Sequence, residues 1–503
     1  MKLDGHPGKT VERQGAHLEL EVLEERIAPA GGVTAFVSHG TLVITGDALG
    51  NDIVIDDAGL AATELRISSG LDATTVNGGA EDVLQGVTGG IVLKMADGDD
   101  HARFDGVDVA TSITFDGQLG ANHFELTGDS IVHGSVIARN ANVAGIAGAT
   151  VAGDVRILNT TGFSTVTISS LDARSLSIRN GDGGDIATLN GLTLTGRLSI
   201  QTGYGYGDTT TQINDSRVSS VGFASGWGLD SFTATGLTCT SGGVAFRLSD
   251  GPDSSSVSIS GSTINGSMVI IGDMVDLDDT VVMKAVTARG IRGFYVTGCT
   301  LGIDAASGRN YGVNVAASTG HLTQLVDVEI GGSFRLAAYA GGLFTWGWPV
   351  SVDMDGVSIG GNLNIRSGTW TWGDAHVAIN GTQVSGAAVI NTTYGQDHIT
   401  IDDSTFSRSV IINTRGGSDL VEIEANGAPD GPASTFSGAV TVLAGDGDDT
   451  VTLGAAGQPG NHGVYAGRVL PNGQADYDIL TMVDGANTFA SRPVPAGFET
   501  INT

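Results

Sequence analysis

The chain has 503 residues, 78 of them glycine, with only 16% charged residues and a formal net charge of −31. Ten prolines and no Gly-X-Y period exclude collagen, and 40% hydrophobic content supplies too much core for a disordered chain. The acidity disfavours nucleic acid and anionic membranes as partners, and suits cations or neutral or cationic glycans.

Residues 1–31 lack the apolar core of a secretory signal, and no segment of the chain reaches the ~18 apolar residues of a membrane helix. They contain Leu18-Glu-Leu-Glu-Val-Leu-Glu-Glu-Arg-Ile-Ala-Pro-Ala30, which reads locally as a short amphipathic helix capping the first repeat unit. Through Leu23, Glu24, Arg26 and Pro29 this segment resembles the amino-terminal LExR…P motif of large exported bacterial surface proteins of planctomycete type. The resemblance implies an exported or cell-surface protein, and makes residues 1–31 an export, anchoring or capping segment.

From 32 to 455 the chain repeats roughly every 20–25 residues, the signature of a solenoid. The unit Ile399-Thr-Ile-Asp-Asp-Ser-Thr-Phe-Ser-Arg-Ser-Val-Ile-Ile-Asn-Thr-Arg-Gly-Gly-Ser-Asp419 matches the preceding unit, Val377 to Asp397. Each reads as a short alternating strand, a polar corner, a second strand and a Gly-rich turn. Aligning units puts Ser169, Asn190, Asn214, Thr235, Ser260, Asp355, Asn380 and Asp402 in one column. Such side chains hydrogen-bond their own backbone and accept tight corners, so stacked they form a ladder. The pattern predicts an all-β, right-handed parallel β-helix with two or three strands per coil, about 16 or 17 coils and a length of ~75–80 Å. Cys239 falls in an apolar column, and two to three coils separate it from Cys299, too far for a disulfide. The register fades between Gly298 and Leu322, predicting an irregular loop. After Leu453 the repeat fades too, and residues 456–503 are expected to form a C-terminal cap.

Gly445-Asp-Gly-Asp-Asp-Thr-Val451 and Ala96-Asp-Gly-Asp-Asp-His-Ala102 resemble the calcium-binding nonapeptide repeats of haemolysin type. The resemblance implies calcium at Asp97, Asp99, Asp100, Asp446, Asp448 and Asp449, although the nonapeptides here recur once per coil and not in tandem. Gly and Asp are also what a tight turn requires on its own account. All five tryptophans lie in Gly-rich turns, and Trp346 to Trp370 and Trp348 to Trp372 are each one coil apart. With Tyr394 these predict a row of aromatic faces suited to sugar rings, or simply packed on one another. His123, His376 and His398 fall at or beside turns. Lys284, Arg289 and Arg292 form the one notable basic cluster, and Asp353/Asp355 and Asp402/Asp403 are the acid pairs a hydrolase would need. No zinc-ligand spacing, phosphate loop, dinucleotide fingerprint or nucleophile elbow appears. The expectation is a structural, adhesive or glycan-binding surface protein, with a polysaccharide lyase, hydrolase or epimerase as the alternative.

Overall fold

The computed structural model describes residues 31–503 except 72–73, 161, 204, 206, 249–254, 339–348, 368–372, 426–431, 456–462 and 484–486. The LExR…P segment and all the tryptophans but Trp227 lie outside the described residues. The described chain is all β, and no helix in it is long and apolar enough to cross a membrane.

Each regular coil contains three strands. Thr209–Asn214, Arg217–Val218 and Ser220–Ala224 pair in parallel with Asp230–Thr235, Thr238–Cys239 and Val244–Arg247 of the next coil. Alternation along most strands turns one set of side chains inward. Ile168, Leu189, Ile213, Ala234, Ile259 and Leu277 stack directly on one another through five coil-to-coil steps, all fully buried. At ~1.5–3 kcal/mol for each fully buried aliphatic or aromatic side chain, such rows outweigh the modest contribution of any single surface contact. Near the C-terminal end a different inward column, the one that holds Ile359 and Val384, turns aromatic: Phe406, Phe436, Tyr465 and Phe489 stack at centroid spacings of 5.3, 4.9 and 4.9 Å.

The polar column is in register as expected. Asn214 Nδ2 donates to Asn190 Oδ1 at 2.7 Å, and Asn380 Nδ2 donates to Asp355 Oδ1 at 2.8 Å. The bend itself, however, is made one residue later. Gly191, Asp215, Gly236, Gly261, Asp279 and Gly298 all have φ between +44 and +65°, the left-handed region that glycine enters freely and aspartate tolerates. Just past the corner, a buried hydroxyl ladder ties coils together: Ser216 Oγ accepts the Leu192 N–H, and Ser262 Oγ accepts that of Leu237.

Cys239 is buried in the apolar column as expected, and both cysteines are free. Cys299 occupies a hydroxyl position, its sulfur accepting the Thr280 N–H at 3.3 Å and donating to the Thr297 carbonyl at 3.2 Å.

Parallel pairing continues through the irregular stretch from Gly298 to Leu322, although the register shifts where Ile291 and Gly293 meet Ala317 and Leu322. Thr300–Leu301 pairs with Val281–Val282 and Glu329–Ile330, and the extra length is a hairpin of Ile303–Asp304 with Arg309–Asn310. Beyond Leu453 parallel pairing also continues, through Val464–Tyr465, Val469–Ala475 and Ile479–Met482 to Thr500–Asn502. The described residues from Val464 to Asn502 therefore continue the stack. At the other end the stack opens on antiparallel pairs, Gly32–Ser38 with Thr41–Thr45 and Asp52–Asp56 with Glu64–Ser69.

Candidate functional site

The Gly/Asp turns hold two kinds of aspartate. The one that closes the turn and heads the next strand is buried, and its carboxylate holds the neighbouring coil. The Ala375 N–H donates to Asp397 Oδ1 at 2.7 Å, Asp397 N–H to Asp419 Oδ1 at 2.8 Å and Asp419 N–H to Asp449 Oδ1 at 2.8 Å. Asp449 N–H then donates to Asp478 Oδ1 at 3.0 Å. At the N-terminal end the Asn51 N–H donates to Asp100 Oδ1, and the Asp100 N–H to Asn122 Oδ1. The second oxygen of Asp100, Asp397, Asp419 and Asp449 has no partner among the described residues. Burial pushes the Asp100 and Asp419 carboxyls up to about 7, and those of Asp397 and Asp449 up to about 6.

The second kind is exposed and forms an outer ladder. Asp99 Oδ1 accepts the Ala121 N–H at 2.7 Å, and Asp448 Oδ1 accepts the Tyr477 N–H at 3.1 Å. Asp97 and Asp446 are exposed at their turns. The six aspartates expected to bind calcium thus divide into two turns many coils apart. Neither trio is among the sets whose donor atoms gather within 4.8 Å of one another.

The gathered sets lie elsewhere. His101, His123 and Glu125 form one: the imidazoles stack at 4.4 Å, His123 Nε2 lies 3.2 Å from the Glu125 carboxylate, and His101 Nδ1 lies 3.2 Å from Asp52. Burial, reinforced by His101, lowers the His123 pKa, favouring the neutral imidazole that a metal requires. Two nitrogens and a carboxylate are the donor chemistry of zinc-class ions. His376 and His398 repeat the motif edge to face at 5.2 Å, with Glu422 2.9 Å from His398. In the sequence His123, His376 and His398 stand out only as turn residues, because their partners are one coil away and not adjacent.

The other set is Asp402, Asp403 and Glu424, all-oxygen chemistry of the calcium type. Glu424 is fully buried, and its Oε1 accepts the Asp403 N–H at 3.1 Å and the Ser434 N–H at 2.7 Å. The Asp402/Asp403 pair therefore meets a third carboxylate that spacing did not reveal. Asp355, of the other acid pair, is held in the corner ladder by Asn380.

Arg292 is fixed to Asp273 at 2.8 Å. Arg289 lines a shallow depression with Asn314 and Arg335, whereas Lys284 lines a different one with Arg197. The basic cluster does not converge on one pocket. Of the aromatic row, Trp346, Trp348, Trp370 and Trp372 lie outside the described residues. Tyr394 is 42% exposed and Trp227 53%, each in a turn. Comparison with protein-family models, curated proteins and solved structures finds no match to this chain.

Proposed function

We propose that this chain is an exported or cell-surface β-solenoid with a structural or adhesive role, binding polysaccharide on its outer surface. The observation that supports the reading is the outer surface itself. The outward side chains lie in long parallel rows, and depressions among the described residues are shallow, one beside Arg139 and Arg179 measuring about 460 Å³. A linear polymer can lie along such rows, whereas catalysis needs groups converging on one bond. The aromatic turn residues Trp346, Trp348, Trp370, Trp372 and Tyr394 are the proposed contacts for uncharged sugar faces.

Protease treatment of intact cells, followed by detection of this chain, tests the location: it should be cleaved while cytoplasmic proteins survive. Binding to a panel of immobilised neutral glycans tests the aromatic row, and Trp370→Ala with Trp372→Ala should weaken it while the thermal midpoint holds. Release of reducing ends or of unsaturated products from any polysaccharide, abolished by Asp403→Ala, would replace this reading with the enzymatic one.

A further inference from the structure

The coil-to-coil register brings together charges that lie about 40–77 residues apart in sequence. In the last outward position of the sheet that includes Ile113–Asp116 and Val244–Arg247, the stacked column contains Lys94, Arg139, Arg179, Arg247, Arg289 and Arg366. Its acidic member is Asp116, tied to Asn140 at 3.1 Å. A chain with 55 acidic and 24 basic residues therefore has six bases and one acid in this row. The neighbouring outward column on the same sheet adds Arg156 and Arg335 and no acid.

The six basic side chains are exposed, and none has a carboxylate within ion-pair distance among the described residues. Arg197 extends the row sideways, lying flat across Gly222, where any Cβ would sit 1.8 Å from the guanidinium. Shallow depressions lie along the strip, one beside Arg139 and Arg179, one beside Arg197 and Arg247, one beside Arg289 and Arg335. Exposed Trp227 and Tyr394 stand three residues beyond the column, at its edge.

We propose that this strip is a binding site for a linear anionic polysaccharide, carboxylated or sulfated, laid along the axis of the solenoid. Successive bases are two or three coils apart, ~10–14 Å at the strand spacing, so along a polyuronate they would meet every second or third carboxylate. Guanidinium groups bind carboxylate and sulfate in bidentate fashion. Duplex nucleic acid, with a charge every ~1.7 Å, would be repelled by the net −31 of the whole chain more than the sparse row could offset. The acidity that suits the whole chain to cations and to neutral or cationic glycans is an average, and it conceals the gathering of six bases in one outward column.

The inference rests on the surface glycan-binding reading, and its test separates the two. Full-length protein is titrated with polygalacturonate, with neutral dextran and with double-stranded DNA. Wild type should bind polygalacturonate and not DNA, and Arg247→Gln with Arg289→Gln should weaken that binding roughly three- to thirtyfold. Arg103→Gln with Arg217→Gln, away from the strip, should leave it unchanged, and circular dichroism should show all variants folded. Absence of polygalacturonate binding, equal loss in both variants, or tighter binding of DNA would overturn the strip. Neutral-glycan binding persisting under those outcomes would leave the broader reading intact.

Discussion

Burying a carboxylate in a turn couples folding to pH, and the direction depends on where the proton is held. The folded chain keeps protons on Asp100 and Asp419 up to about pH 7, and on Asp185, Asp397 and Asp449 up to about 6. The unfolded chain releases them near ~3.9. The stability these groups carry is full below that lower value and is lost as pH rises through 6 and 7. The thermal midpoint should therefore fall between pH 5 and pH 8. Asp419→Asn, the neutral isostere that still accepts the Asp397 N–H, should flatten part of the fall and stabilise by about 1–3 kcal/mol at pH 8. A midpoint that climbs with pH over this interval would show the ladder to be ionised. The two cysteines give a second residue-level contrast. Cys299→Ser places a hydroxyl in a hydroxyl ladder and should cost less than ~0.5 kcal/mol, whereas Cys239→Ser buries an unpaired hydroxyl among apolar side chains at about 1–3 kcal/mol. Denaturant titration of both variants checks the order.

At the scale of the coil, the corner is the element on which the stack depends. Gly261 has φ +53° and open space where its Cβ would be, so Gly261→Ala isolates backbone strain from crowding. It should cost ~1–2 kcal/mol, and a value near zero would mean the corner adapts. The strand periodicity and the column from Ser169 to Asp402 were legible in the sequence because identity repeats there in step with the coil. The bending residue just after it was hidden, since Gly, Asp and Ser alternate in that position and glycine is abundant throughout. The hairpin at Ile303–Asp304 broke the spacing without breaking the pairing, and so read as a lost repeat. Calcium belongs to this scale too. Were it shared between neighbouring turns at Asp97, Asp99 and Asp100 or at Asp446, Asp448 and Asp449, saturating calcium would raise the thermal midpoint by mass action. Chelator at matched ionic strength would lower it again. An unchanged midpoint assigns these turns to backbone hydrogen bonding alone.

Over the whole molecule, the parallel stack turns small sequence regularities into long surface features. Six basic residues scattered from Lys94 to Arg366 become a row only because each coil places the same position above the last. No sequence window shows the row, since its members are separated by unrelated residues and skip coils irregularly. The histidine pairs at His101/His123 and His376/His398 were hidden for the same reason. What composition did convey, an acidic and glycine-rich chain, describes the average surface and misses its polarity. The most direct measurement of the central claim is the affinity for polygalacturonate as a function of sodium chloride concentration. A row of arginines displacing counterions from an anionic chain predicts a linear fall of log K with log salt, with a slope of roughly −2 or steeper. Affinity that does not change with salt, or no binding even at low ionic strength, would contradict it.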